Sequence, residues 1–262
     1  MVTRCAFCLS RPPNLSGEHI WDDWISRMHA AEKGRAKFVI TDYDSNEQPI
    51  RSYTKTSIDR KLSVVCERCN NGWMSDIVNT EARPSLKELT FHTREQTLLS
   101  RGLLGIARFT FLKSVVLDAM REDSRPFYSA PIRQQFMSSM TIPPGVQIWL
   151  AAYGSSQHHG HAWASYFKPK DPDINQAEFY FFTYAVGFLI VQLTCTRWIV
   201  ASRRNAPLPF LTPSRRQWGD VTREIYPLAA PMAVRWPPSF FLDAKSLFSF
   251  KDRFHKLRVN IR

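Results

Sequence analysis

The sequence predicts an α+β fold, and three features of it do so. Between residues 20 and 120 apolar side chains recur mainly at helical spacing. After Pro143-Pro144-Gly145 the chain breaks into short apolar runs separated by turn residues, the pattern of strands. Two paired cysteines, Cys5-x-x-Cys8 and Cys66-x-x-Cys69, tie distant parts of the first third together. The expected organisation is a metal-stapled module over residues 1–90, then an α+β domain over 91–262 with a largely antiparallel sheet.

In chain order, Ile20 to Met28 has apolar residues at helical spacing and should form a helix ending near Gly34. Lys37–Tyr43 and Ile50–Thr54 flank the polar stretch Asp44-Ser45-Asn46-Glu47 as two strands. Leu62–Val65 is a brief strand delivering Cys66. A helix should then start near Asn70 and reach about Pro84, which either ends it or opens the next, since its missing N–H is tolerated only in a first turn. Ser85 to Met120 is helical in pattern throughout, and Leu98 to Met120 is apolar on nearly every side, as in a helix at a domain centre. Ile132–Met140 is a further short helix. Val146–Tyr153, His161–Phe167, Glu178–Ala185, Gly187–Cys195 and Arg197–Ser202 are expected to form an antiparallel meander packed on the helices. An irregular Pro-rich stretch from Pro207 precedes a last helix, from about Asp243 to His255.

Composition narrows the function classes. With 44% hydrophobic and 13% aromatic residues the chain can bury a large core, which excludes global disorder. A net charge of +12 points to a polyanionic partner, nucleic acid first, although a merely soluble basic protein has the same balance. Arg203-Arg204 and Arg215-Arg216 are candidate contacts to a phosphate backbone, each cluster alone being more often a solvated surface. The start, Met1 to Cys5, has no apolar run of the secretory kind. The most apolar run, Tyr184 to Cys195, falls far short of the ~20 residues a membrane helix needs. A cytoplasmic location and no membrane contact are expected. In that reducing setting Cys-x-x-Cys pairs are metal ligands more often than disulfides, while Cys195 should be a buried, inert thiol.

Four thiolates at two such knuckles suit a tetrahedral structural Zn2+. Left over around them are a carboxylate, Glu18, an imidazole, His19, and a carboxamide, Asn70. That set suits a hard divalent cation, with the histidine as general base. Phosphodiester cleavage requires both, a deprotonated water and a cation to absorb charge at phosphorus. On a strand Glu18 and His19 would point to opposite faces, so both reach one site only if the backbone bends or Glu18 acts through another group. Asn70 directly follows Cys69 at a helix start, where it could instead be a cap, a role that can coexist with that of a ligand if Asn71 or the backbone does the capping. His158, His159 and His161 form a second cluster with no Cys or carboxylate near in sequence, as in a solvated loop. Trp24 and Trp73 could stack on bases, though Trp73, just inside a helix, fits core better.

Cys5-x-x-Cys8, Glu18-His19-Ile20 and Cys66-x-x-Cys69-Asn70-Asn71-Gly72-Trp73 together resemble the zinc-bearing branch of the HNH endonucleases, the ββα-metal superfamily. The likeness covers residues 5 to about 84. The downstream pattern is similar to a bacterial group of that family with a C-terminal α+β domain. The resemblance implies a ββα-metal nuclease module, a zinc at Cys5, Cys8, Cys66 and Cys69, and His19 as base. It further implies Glu18 and Asn70 as ligands of a catalytic Mg2+ or Mn2+. The middle Asn of the family is not evident, and Val78 stands where a carboxylate is often found, with Asp76 the near substitute. Arg68 would position the nucleic-acid backbone. The expected activity is hydrolysis of DNA, RNA being the other candidate, with a partner protein or homo-oligomer possible and an effector role in a bacterial defence or mobile-element system. The alternative is a non-catalytic zinc module that binds nucleic acid or a partner protein.

Overall fold

The computed structural model describes residues 4–33, 38–43, 49–55, 60–120, 126–154, 160–167, 177–198, 221–228 and 233–251. The first strand, β1 (Ser16–His19), is followed by α1 (Asp23–Lys33), β2 (Phe38–Tyr43), β3 (Pro49–Lys55) and β4 (Lys61–Val65). β1 and β4 pair antiparallel, with Glu18 opposite Leu62 and His19 opposite Lys61. On β4 the alternation buries Leu62 and Val64 and exposes Lys61 and Ser63, as one covered face requires. β2 and β3 pair with each other, and the polar turn expected between them lies outside the described residues.

The helical run after Cys66 starts earlier than the sequence suggests, at α2 (Glu67–Cys69). It then widens into two π-type turns, Asn70–Met74 and Ile77–Ala82, and the backbone leaves helical geometry at Gly72. α3 (Arg83–Phe91) follows, with Pro84 in its first turn, so the proline opens a helix rather than ending one. The expectation of helix throughout 85–120 is corrected. The chain becomes extended at His92, forms β5 (Gln96–Leu99), and only then enters α4 (Ser100–Asp118). Four residues are too few for their apolar pattern to separate strand from helix.

α5 (Ala130–Ser139) leads into β6 (Val146–Tyr153), β7 (Gly160–Phe167), β8 (Ala177–Val186), β9 (Leu189–Trp198), β10 (Thr222–Tyr226), β11 (Ala233–Trp236), β12 (Phe241–Leu242) and α6 (Ala244–Lys251). The large sheet is ordered β10-β6-β9-β8-β7, antiparallel throughout, with β12 added parallel to β6. The chain is therefore mixed helix and sheet, but the sheet is not a plain meander. β7, β8 and β9 are, whereas β6 lies against β9, with Ile148 opposite Leu193. Arg197 and Trp198 continue β9 rather than starting a new strand. Residues 199–202, the stretch from Pro207 to 220 and the expected helix end at 252–255 lie outside the described residues. β11 pairs with β5, a partner far along the chain that local pattern cannot reveal.

One apolar cluster runs from Cys5 and Phe7 through Val64, Met74, Leu103 and Phe111 to Tyr180, Leu193 and Trp236. It crosses residue 90 without a break. α4 sits at its centre, and its contact with the helix bearing Asn70 is close because of Gly105. A Cβ there would lie 2.5 Å from the Glu81 carbonyl oxygen. The Arg108 guanidinium fastens the same contact by pairing with Glu81 at 2.9 Å. Gly105→Ala should accordingly destabilise the protein by about 1–3 kcal/mol, the usual effect of overpacking, visible as a lower melting temperature. An unchanged melting temperature would mean that the two helices yield without cost. No helix long and apolar enough to cross a membrane occurs among the described residues.

Candidate functional site

The knuckle at Cys5 forms because the chain turns back on itself: Leu9 N–H donates to the Cys5 carbonyl and Cys5 N–H to the Ser10 carbonyl. Leu9 adopts the left-handed conformation, φ 61°, that this tight reversal needs. Ala6 N–H donates to Val64 O at 2.8 Å, which places the knuckle against β4 just before Cys66. The four sulfur atoms of Cys5, Cys8, Cys66 and Cys69 all lie within 4.8 Å of one another, and Cys8 Sγ is 3.6 Å from Cys66 Sγ. A tetrahedral ion with Zn–S bonds of about 2.3 Å needs sulfurs about 3.8 Å apart, and a disulfide needs about 2.05 Å. The geometry fits a shared ion, and these four residues can hold a metal such as zinc.

Their electrostatics agree with that. Burial pushes the Cys5 and Cys69 thiols up. Burial acts the same way on Cys8, but the Ser10 hydroxyl and N–H outweigh it, with help from Cys5 and Cys66, and bring its pKa down to about 6. Thiolates massed at an apolar site are stable only when a cation shares their charge. Aromatic rings close the surroundings: Phe7 meets Trp73 edge-on at 4.9 Å, and Trp73 meets Phe136 at 5.8 Å. Trp73 is thus core packing. Trp24, 3% exposed, packs on Phe91 with the Arg83 guanidinium 5.6 Å above its ring. Neither indole is free to stack on a base.

Beside the cysteine cluster lies a cleft of about 270 Å3. Its walls come from the end of β1 and the start of α1 on one side, with Glu18, His19, Asp22, Asp23, Trp24 and Arg27. On the other side Asn70, Asn71, Met74, Ser75, Val78 and Asn79 recur at a spacing of four along the widened helix, forming one face. π-type turns of this kind are frequent at functional sites. His19 and Asn70 thus line one cleft although they are far apart in sequence. The Asn70 Nδ2 donates to Ser16 Oγ at 2.9 Å, and its N–H bonds to Cys66 O as the first link of the helix. The amide thus anchors β1.

Glu18 and His19 do alternate as strand neighbours should. Glu18 is buried at 5% exposure and His19 half-buried, yet both reach the cleft wall. A register slip between Ser16 and Gly17 bends the strand just before them. Glu18 is also held from behind. Lys113, on α4 and 1% exposed, donates to Glu18 Oε1 at 2.5 Å, to the His19 carbonyl at 2.6 Å and to Asp22 Oδ1 at 2.9 Å. Burial works to lower the Lys113 pKa, but Asp22 and Glu18 outweigh it and hold it above the ordinary value, so the side chain is an ammonium. Burial, reinforced by Glu18, raises the Asp22 carboxyl although Lys113 pulls it back. Removing one member of such a buried set leaves a stranded charge, a cost of about 3–5 kcal/mol.

The remaining candidates are placed as follows. Asp76 is exposed and does not line the cleft. Arg68 is exposed on α2 and likewise absent from its walls, where Arg27 contributes the cation instead, paired with Asp23 at 3.0 Å. Arg203, Arg204, Arg215 and Arg216 lie outside the described residues, as do His158 and His159. His161 is stacked on Trp163 at 4.7 Å. Cys195 is buried, its thiol pushed up to about 12 by burial. Among the described residues no second group of three Cys, His, Asp or Glu converges as the four cysteines do. A cation in the cleft would therefore rest on few protein ligands, Glu18 and the Asn70 carboxamide, and on oxygens of water and substrate. Mg2+ is commonly bound in that way.

Sequence reasoning missed Lys113, Asp22, Arg27 and Ser16. Only Lys113 left a clear signal, a lone ammonium in the middle of the apolar run Leu98–Met120. No protein-family model, no curated protein and no solved structure matches this chain.

Proposed function

We propose that this protein is a zinc-stabilised, divalent-cation-dependent endonuclease of the HNH type that hydrolyses phosphodiester bonds in DNA. The observation that carries the proposal is the convergence of His19, Glu18 and Asn70 on one cleft beside the four-cysteine cluster. The zinc, bound by Cys5, Cys8, Cys66 and Cys69, would hold β1 and the Asn70 helix together and take no part in the reaction. His19 accepts the proton of the attacking water. Glu18 and Asn70 would hold Mg2+ or Mn2+, which would supply positive charge to the phosphate and the leaving oxygen. Arg27 stands at the same wall to meet a phosphate oxygen, and the net charge of +12 favours a polyanionic substrate. Activity held in check until a partner of a defence or mobile-element system releases it is compatible with this site.

One observation favours a second reading, a zinc module that binds nucleic acid or a partner protein without cutting. Glu18 is engaged by Lys113 and can be taken as a structural ion pair. Supercoiled plasmid incubated with the purified protein separates the two. Nicking with Mg2+ or Mn2+ that EDTA stops is the expected result. Intact plasmid in the presence of full zinc content, with or without retention on a gel, would favour the binding module.

A further inference from the structure

Three buried ionisable groups stand behind the cleft, and the proposed reaction uses only one of them. Lys113 is the single ammonium among them, and it arrives from the part of the chain that carries no assigned role. Its three N–H donors meet three acceptors, Glu18 Oε1, the His19 carbonyl and Asp22 Oδ1. Nothing on the donor side is left over. Glu18 uses only Oε1 in this way; among the described residues its Oε2 has no hydrogen-bond partner, and the residue lines the cleft. Two carboxylates face one ammonium, so Asp22 can cancel the charge of Lys113 while Glu18 keeps its own.

We infer that Lys113, with Asp22 as its counter-charge, is a positioning residue that fixes Glu18 with one oxygen turned to the divalent cation and fixes the strand end that presents His19. α4 is then part of the site rather than of a separate domain. The inference rests on the cation-dependent reading above. A glutamate has three torsions to immobilise before it can serve as a ligand, and a carboxylate already held by a second group has that ordering done in advance. The hydrogen bond to the His19 carbonyl does the same for the peptide that carries the base. A lone ammonium so near a cation would repel it, which gives Asp22 its part: the Lys113–Asp22 pair is neutral and anchors without opposing.

The test uses the whole 262-residue chain, zinc-loaded, with Mn2+ alone as the probe, followed by loss of its free-ion EPR signal, and with plasmid nicking in the same buffers. Lys113→Met combined with Asp22→Asn removes one charge of each sign, so the net charge is kept, and it leaves Glu18 without its ammonium. The expected result is wild-type zinc content, a lower but still cooperative melting transition, Mn2+ affinity weaker by about ten- to a hundredfold, and nicking reduced to match. Mn2+ affinity and nicking within about twofold of wild type would overturn the inference and leave the proposed function standing. Failure of the wild type to bind Mn2+ would overturn both. Should the double variant lose its zinc, Lys113→Arg decides instead, since it keeps the charge and changes the reach. Weakened Mn2+ binding in that folded variant supports the inference, and unchanged binding overturns it.

Discussion

His19→Ala should abolish plasmid nicking and leave zinc content and melting temperature at their wild-type values. The imidazole is half-buried at the cleft wall, and the strand that carries it is secured by groups the substitution does not touch. β1 keeps its pairing with β4, Ile20 N–H still donates to the Arg60 carbonyl, and Lys113 still binds the His19 carbonyl. The effect on stability should therefore be about 1 kcal/mol or less. Loss of a general base lowers the rate by about 10²–10⁴-fold. A nicking time course, run beside zinc analysis and thermal melting, checks all three. Turnover within about tenfold of wild type in a folded, zinc-loaded variant would remove His19 from the reaction.

Cys66→Ser has the larger structural effect: the chain should lose its zinc and with it the native fold. Cys66 is the hinge between β4 and the Asn70 helix, buried at 6% exposure and 3.6 Å from the Cys8 sulfur. A serine there offers a poor zinc ligand and leaves three thiols crowded in an apolar site. Structural zinc contributes about 10–16 kcal/mol in small zinc-binding domains, against a total stability of about 5–15 kcal/mol for an ordinary protein. The expected outcome is low soluble yield, no bound zinc and no cooperative melting transition. A metal-free variant that melts like the wild type would show that the cysteines contribute to packing alone.

The four cysteines and the cleft residues Glu18, His19 and Asn70 were legible for one reason: their spacing is local. Cys5 with Cys8, Cys66 with Cys69, Glu18 with His19, and Asn70 next to Cys69 each stand within a few positions, where chemistry leaves a pattern. The paired strands β2 and β3 and the helix α5 were legible for the same reason. What failed to show was long-range. Lys113 stands out within its apolar run, but its partners lie 91 and 95 residues earlier, and no local period connects them. β5 was lost inside a helical pattern because its partner β11 follows nearly the whole sheet. The placement of β6 against β9 has the same character, since hydrophobic alternation assigns a strand without naming its neighbour.

The apolar packing that passes uninterrupted from the cysteine knuckle through α4 into the large sheet limits how such a molecule can be rebuilt. A cassette cut at residue 90 would carry a bare greasy flank and would leave Lys113 behind. For the proposed nuclease, new target preferences would have to come from altered surface loops, not from moving residues 1–90 into another host.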